Sequence, residues 1–493
     1  MADKKIMVAL DCGNTSFRTV VGEYENGKVE TTLIDQQPNG MIKIGDYYYW
    51  DIMRIFNEFK TSLKNVVKRF KKVDSIGICT WGVDFALFDK GGHMIMNPLC
   101  YRNEIGEAKV SALSAEDKEK LFFETGILCD KINSVYMMSG LKEHFPDVMS
   151  IADKCLMVPD ILNYFLTGEM VNEPSEFSTT QLMDARTRQV SSEVCAKMGV
   201  DESLFSRIGE HGKLIGYVRK DILEEVGADY EIPVVCVPSH DTACAVTAIP
   251  AGEKDFGFIS SGTWSLIGTE LSEPVVTREV MEANLTNEVG VFGNITLLKN
   301  SIGLFIVNQL KNEYDFECGR KASWDEISDM CDKCDTETVI DLNDLAFFNP
   351  VNMAEAVWDY LVKTGQAEVE KSWPVLFKTF YQSLAACYAV TISDIEKATG
   401  KTFEKVYIVG GGASSRVLVE LTAAFMGKPV VVAFGESTSM GNLALQIKYF
   451  EPEKELSDLR AIIAASFETR EHVKEKGGSR IIDNYVRRCA GKA

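Results

Sequence analysis

Two segments of the chain share one layout, and together they limit the folds open to it. In the first, the apolar run Ile6–Leu10 ends in Asp11-Cys12-Gly13-Asn14-Thr15-Ser16, and a second strand-like run, Phe17–Val21, follows. In the second, Phe256–Ile259 ends in Ser260-Ser261-Gly262-Thr263, and a further strand-like run continues to residue 269. Strand, small polar turn, strand, repeated half a chain away, predicts two related α/β domains. Small residues in such turns let backbone N–H groups approach anionic oxygens closely. Strand ends that deliver Asp, Gly, Ser or Thr are where α/β proteins place chemistry. A third segment, Val234–Val237, runs through Pro238 into Ser239-His240-Asp241-Thr242. Taken alone, these last two segments read equally as functional strand ends and as a core strand with a capped helix, with Asp241 as N-cap and Gly262 as a turn glycine. The partner turn at Asp11 tips the reading toward a functional site.

The length, 493 residues, predicts two or three domains with ample core. The formal net charge of −20 argues against nucleic acid, whose binding needs a basic face. An acidic protein can still handle phosphate if N–H groups and a cation line the site. Met1-Ala2-Asp3-Lys4-Lys5 lacks a signal-peptide pattern, and no apolar run approaches membrane length, so a cytoplasmic protein without a membrane partner is expected. Thirteen cysteines are scattered, several within apolar runs, and read as reduced buried thiols. Cys331 and Cys334 form a lone CxxC without the second pair that a structural zinc site needs.

Along the chain, residues 6–34 read as an antiparallel meander. Residues 50–71 carry apolar positions at helical spacing: Ile52, Ile55, Phe56, Phe59, Leu63, Val66, Val67 and Phe70. A strand over 73–79 leads into Thr80-Trp81-Gly82-Val83-Asp84. Residues 105–230 read as mostly helical, with Pro146, Pro159 and Pro174 as breaks. The small-residue stretch 247–252 is the expected domain boundary. Helices are expected over 323–400, a strand over 405–409 ending in Gly410-Gly411-Gly412, a helix over 414–426 and a strand over 429–432. The charged tail, 454–493, is expected to end in an amphipathic helix. Gly400-Lys401-Thr402 imitates a phosphate-binding loop, but Ile395 stands where that loop needs glycine, and a helix rather than a strand precedes it. Gly400 is therefore expected as a helix C-cap.

The segments Asp11–Ser16, Thr80–Asp84, Tyr101-Arg102, Pro159-Asp160, Thr179–Leu182, Ser239–Ala243, Ser260–Ser265, Leu298–Asn300 and Val409–Gly412 stand in one order. That ordered set resembles the FGGY family of carbohydrate kinases, in the actin/hexokinase-like superfamily. The resemblance implies an α/β fold of two ribonuclease-H-like domains facing a central cleft. Residues 1–248 would form the N-terminal domain, with sugar and base, and 249–493 the ATP-binding domain. It implies ATP-dependent phosphorylation of a ketose, with L-rhamnulose the first expected acceptor and L-fuculose, xylulose or another pentulose the alternatives. ATP and Mg²⁺ are the implied cofactors, and sugar and ATP the small-molecule partners.

Site residues follow from the matched positions. Asp241 is the implied general base. Asn14, Thr15, Ser16, Arg18, Gly262, Thr263, Asn308, Gly411 and Gly412 are expected around the nucleotide, and Asp11 at the metal, mainly through water. Gly82, Asp84, His240, Asp241, Thr242 and Asn300 are expected around the sugar. Glycine at 82 permits close approach of a hydroxylated ligand, and an Asp at 84 can accept two sugar O–H groups. Trp81 is expected to pack rather than stack. The chain departs from the pattern at Phe17, at Val289 in Asn287-Glu288-Val289-Gly290, at Asn294 and Thr296, and at Asn308. These changes bear on which sugar is taken and on the grip on ATP. A rival from another class is an actin- or Hsp70-like ATPase, which would need no sugar-side His-Asp pair.

Overall fold

The strand Lys5–Cys12 is buried at every position after Lys5, as the unbroken apolar run requires. It lies centrally because it pairs on both sides, antiparallel with Ser16–Glu25 and parallel with Ser75–Cys79. The computed structural model describes residues 4–489, apart from 349, 367–369 and 434–435. Met1–Asp3, at the start of the segment read for a signal peptide, and 490–493 lie outside the described residues. The chain forms two units. One holds residues 1–252 with 271–297 and 437–466, the other 253–270 with 298–436 and 467–493.

In the first unit the sheet runs in the order Lys28–Pro38, Ser16–Glu25, Lys5–Cys12, Ser75–Cys79, Pro233–Val235, Leu214–Tyr217. The three inner strands, Lys5–Cys12, Ser75–Cys79 and Pro233–Val235, are parallel neighbours, so their carboxyl ends open on one edge. The expected meander and helix are present. The helix Ile52–Phe70 starts at Asp51, whose side chain accepts from the Arg54 amide, and stops at Lys71 with φ 66°. Its Ile52, Ile55, Phe59, Leu63, Val66 and Val67 are buried, while Phe56 and Phe70 stay partly exposed. The prolines expected as breaks instead open helices: Pro146–Ile151, Val158–Thr167 and Pro174–Ser178 each carry proline in the first turn. There the missing N–H costs nothing and the fixed φ is already helical. The helix Ser437–Phe450 packs on this sheet, where Gln446 Nε2 donates to the Val8 carbonyl at 3.0 Å and Ser75 Oγ donates to Gln446 Oε1 at 2.6 Å.

The second unit repeats the layout that the two segments predicted. Gly257–Ser261 pairs antiparallel with Trp264–Leu271 through a tight turn and parallel with Val406–Val409 on its other side. Val430–Val432 and Arg470–His472 extend the sheet. The helix Trp373–Thr399 ends at Gly400 in the left-handed conformation, φ 67°, as the C-cap reading required. This helix corrects one expectation: among the described residues it is long and apolar enough to cross a membrane, although no such run was read in the sequence. It is the buried central helix of its unit, with Phe377, Phe380, Leu384 and Tyr388 at or near zero exposure. The tail does include a helix, Ser479–Cys489, which buries Tyr485. All thirteen cysteines are free, and among the described residues no group of three His, Cys, Asp or Glu could enclose a metal ion.

Candidate active site

In the first unit three adjacent parallel strands deliver Asp11, the turn Thr80–Asp84 and the segment Ser239–Thr242 to one edge of the sheet. The last two are knitted together directly: the Thr80 amide donates to the Ser239 carbonyl at 2.7 Å, and the Asp241 amide to the Thr80 carbonyl at 2.8 Å. The helix Asp241–Thr247 begins at Asp241, and the N-cap position is His240 rather than Asp241. The Asp241 side chain thus stands at a helix N-terminus, where negative charge is favoured. It keeps 35 % exposure and accepts a hydrogen bond from Thr242 Oγ1 at 3.2 Å. Its packed surroundings raise the carboxyl above the usual range, and the neighbouring His240 pulls it back down.

His240 stands between two carboxylates. Its Nδ1 lies 3.1 Å from Glu288 Oε2 and its Nε2 lies 3.6 Å from Asp241 Oδ1. Burial is the largest influence and would lower the imidazole, but the pairing with Glu288, joined by the charges of Asp241 and Glu173, together outweighs it and lifts the pKa to about 9. At neutral pH the ring is therefore an imidazolium lying between the two carboxylates. Nothing in the sequence reading assigned this role to Glu288. The only signal is a charged residue within the otherwise uncharged, fully buried strand Thr286–Val289.

Gly82 faces the imidazole, where a Cβ would come within 3.3 Å of His240 Nε2 and 3.2 Å of Thr179 Cγ2. The strained residue of this turn is its neighbour. Val83 has φ 69°, a conformation that β-branched side chains rarely adopt, and such strain costs on the order of 1–3 kcal/mol. It is held by Thr179 Oγ1, which accepts from the Val83 amide at 3.0 Å, and by Ser134 Oγ, which donates to the Val83 carbonyl at 2.5 Å. Asp84 is fully buried. Its Oδ2 accepts both indole N–H groups, Trp50 at 2.5 Å and Trp81 at 2.9 Å. The two rings lie 4.2 Å apart, so Trp81 packs as expected and also serves as a donor. Asp84 Oδ1 has no hydrogen-bond partner. Burial pushes this carboxyl up to about 8, against the indole donors and the Tyr101 amide. One oxygen, rather than the whole carboxylate, is left for a ligand.

Asp11 is nearly buried and accepts from Ser439 Oγ at 2.9 Å, with Arg18 Nε 3.6 Å from the same oxygen. Ser439 comes from a segment far away in the sequence, and no local signal links it to Asp11. The turn beyond is fixed by Asn39, whose side chain donates to the Gly13 carbonyl and whose amide donates to Thr15, both at 2.9 Å. Asn14 donates to the Tyr101 hydroxyl at 3.2 Å. Thr15 is exposed, and Ser16 and Arg18 are partly so. A lone carboxylate fits Mg²⁺, which keeps most of its waters and takes other ligands from substrate phosphates.

In the second unit the turn at Gly262 and Thr263 and the turn at Gly410–Gly412 follow adjacent parallel strands and meet at Ser261. A Cβ on Gly412 would lie 2.0 Å from Ser261 Oγ, and one on Gly410, at φ 80°, would lie 2.8 Å from the Ser261 carbonyl. Tyr388 OH joins Ser261 Oγ at 2.8 Å and Ser265 Oγ at 2.7 Å beneath them. Gly412 is buried in this contact, whereas Gly411 and Thr263 are exposed. The Gly262 carbonyl also accepts from the Leu304 amide at 2.8 Å, fastening the turn to the start of the helix Phe305–Cys318. Asn308 is exposed in the first turn of that helix. Asn300 is exposed on the strand Ile295–Ile302, and among the described residues no hydrogen bond ties it to either turn.

The first unit thus presents a half-exposed carboxyl group, Asp241, at its sheet edge, and the second presents turns of small residues. Comparison with known proteins places the chain in a family. Residues 6–248 match the model of the N-terminal domain of the FGGY family of carbohydrate kinases, and 257–448 match that of its C-terminal domain. The chain is 33 % identical over 466 residues to the rhamnulokinase of Bacteroides thetaiotaomicron, covering 94 % of each. It is 33 % identical to that of Oceanobacillus iheyensis, covering 95 % of this chain and 98 % of the relative. Among solved structures, xylulose kinase from Rhodospirillum rubrum superposes with a TM-score of 0.79 at 14 % identity, covering 99 % of this chain and 98 % of the other. Glycerol kinase from Plasmodium falciparum gives 0.76 at 15 % identity with the same coverage. With both family domains matched across most of its length, the chain belongs to the FGGY family of carbohydrate kinases.

Proposed function

We propose that this carbohydrate kinase transfers the γ-phosphoryl group of ATP to a ketose, with L-rhamnulose as the first acceptor. The observation that carries the reading is the Asp241–His240–Glu288 array beside the free oxygen of Asp84. It presents a proton acceptor and a buried hydrogen-bonding group at the same edge of one sheet. The choice of sugar rests on the relatives named rhamnulokinase.

Phosphoryl transfer is mainly positioning and charge stabilisation, but the attacking hydroxyl must lose its proton. Asp241 takes it. Its raised carboxyl moves toward neutrality, where a general base works best, while Thr242 and His240 fix its orientation. Asp84 Oδ1, Gly82 and Asn300 hold the sugar. Thr15, Ser16 and Arg18, with Gly262, Thr263, Asn308 and Gly411, hold the nucleotide, and Gly412 gives their turn its shape. Bound Mg²⁺ supplies charge neutralisation on the phosphates, and Asp11 would hold it through water. The domain assignment proposed with it is 1–248 for most of the sugar site and the base, and 249–493 for most of the ATP site.

The reading is tested by a panel of ketoses with Mg²⁺-ATP, followed by ADP release. L-rhamnulose is expected to give the highest kcat/KM. ADP release that no sugar stimulates would favour an actin-like ATPase instead.

A further inference from the structure

The short helix Pro174–Ser178 is wedged among every segment of the sugar-side array. Ser175 Oγ accepts from the His240 amide at 3.2 Å, and Ser178 Oγ accepts from the Val289 amide at 3.0 Å. Thr179, one residue on, accepts from the Val83 amide and touches the space above Gly82. Glu173 anchors the helix. It accepts from the Ser175 amide, the Ser175 hydroxyl and the Glu176 amide, and pairs with buried His211. The side chains of Glu173, Ser175, Ser178 and Thr179 all have partners. Glu176 is completely buried, yet neither of its carboxyl oxygens has a hydrogen-bond partner.

A buried carboxyl with no partner is a cost that native proteins seldom carry without a reason. On the helix, Glu176 shares a face with Thr179, three residues on, which meets the Val83 turn. The acids facing it are Asp160, Glu173, Asp84 and Asp241. Burial, followed by repulsion from these acids, pushes its carboxyl well above the usual range and so favours the neutral form. A neutral carboxyl has one O–H donor and a carbonyl acceptor. A sugar hydroxyl offers the matching acceptor and donor. The unpartnered Asp84 Oδ1 is a second orphan in the same array.

We infer that Glu176 is a specificity-determining contact for the acceptor sugar, exchanging paired hydrogen bonds with one of its hydroxyl groups. This rests on the sugar-kinase reading for its setting. It adds a residue that no part of that reading includes.

The test compares wild type, Glu176→Leu and Glu176→Gln. Sugar KM, kcat and ATP KM are measured, together with the thermal shift produced by L-rhamnulose, the other ketoses and their monodeoxy analogues. Glu176→Leu removes an unsatisfied group without needing a partner, so its unliganded Tm should match or exceed that of wild type. Its sugar KM should rise at least about tenfold, the size of one neutral hydrogen bond or more, with ATP KM unchanged. Glu176→Gln, which also donates and accepts, should recover most of that loss. One monodeoxy sugar should be rejected by wild type but bound equally by Glu176→Leu. An unchanged sugar KM in Glu176→Leu overturns the inference, as does a fall in Tm with equal losses for every sugar. A sugar-induced shift in wild type without turnover overturns the kinase reading alone. If no sugar shifts the wild type, the Glu176 contact is overturned as well.

Discussion

His240 Nδ1 lies 3.1 Å from Glu288 Oε2, and this one contact sets the charge beside Asp241. Without Glu288, burial would meet less opposition and the imidazole pKa would fall. With it, the ring is charged, and it draws the Asp241 carboxyl down from the value that burial alone would give. Glu288 thus tunes Asp241 through His240.

Replacing Glu288 by Gln should lower the His240 pKa from about 9 toward its ordinary value. With only five histidines in the chain, NMR titration can assign the signal directly. The stability consequence has a definite sign. A folded pKa raised above the unfolded value contributes stability that is complete below about 6.5 and is lost as pH rises to about 9. Chemical denaturation of wild type should show that loss, and Glu288→Gln should flatten it. A His240 pKa unmoved by the substitution contradicts the pairing.

Asp241→Asn should bind sugar, since the amide preserves the shape of the side chain. Its kcat should fall by about 10²–10⁴-fold, the usual contribution of a positioned base. Turnover within a few-fold of wild type would remove Asp241 from that role.

Asp11→Ala should raise the Mg²⁺ concentration needed for half-maximal rate and lower activity. Ser439→Ala, which removes only the 2.9 Å hydrogen bond to Asp11, should have the same effect in weaker form. Unchanged Mg²⁺ dependence in both variants would count against Asp11 as the metal residue.

Gly412→Ala should destabilise the second unit by about 1–3 kcal/mol through overpacking and raise ATP KM. The new methyl would stand 2.0 Å from Ser261 Oγ. Ser261→Gly, which deletes the clashing side chain, should restore much of the lost Tm. If Gly412→Ala leaves both Tm and ATP KM unchanged, the two turns do not depend on this contact.

The sequence by itself determined the elements and the ends that carry chemistry. Unbroken apolar runs such as Ile6–Leu10 and Phe256–Ile259, followed closely by small polar residues, favour short buried strands that end in turns. That is why two like α/β layouts, the helix Ile52–Phe70 and the C-cap at Gly400 were legible, along with Asp11, Asp84 and Asp241 as strand-end acids. The tertiary structure decided what those acids can do. Ser439 reaches Asp11 from 428 residues away, and the indoles of Trp50 and Trp81 occupy one oxygen of Asp84. Glu288 charges His240, and Glu176 loses its water without gaining a partner. None of these has a local signature, because proton affinity and hydrogen-bond satisfaction depend on which groups the packed chain brings within a few ångströms and on how much solvent it excludes. The prolines at 146, 159 and 174 teach the same lesson locally. A proline marks a helix boundary, and only the fold decides on which side of it the helix lies.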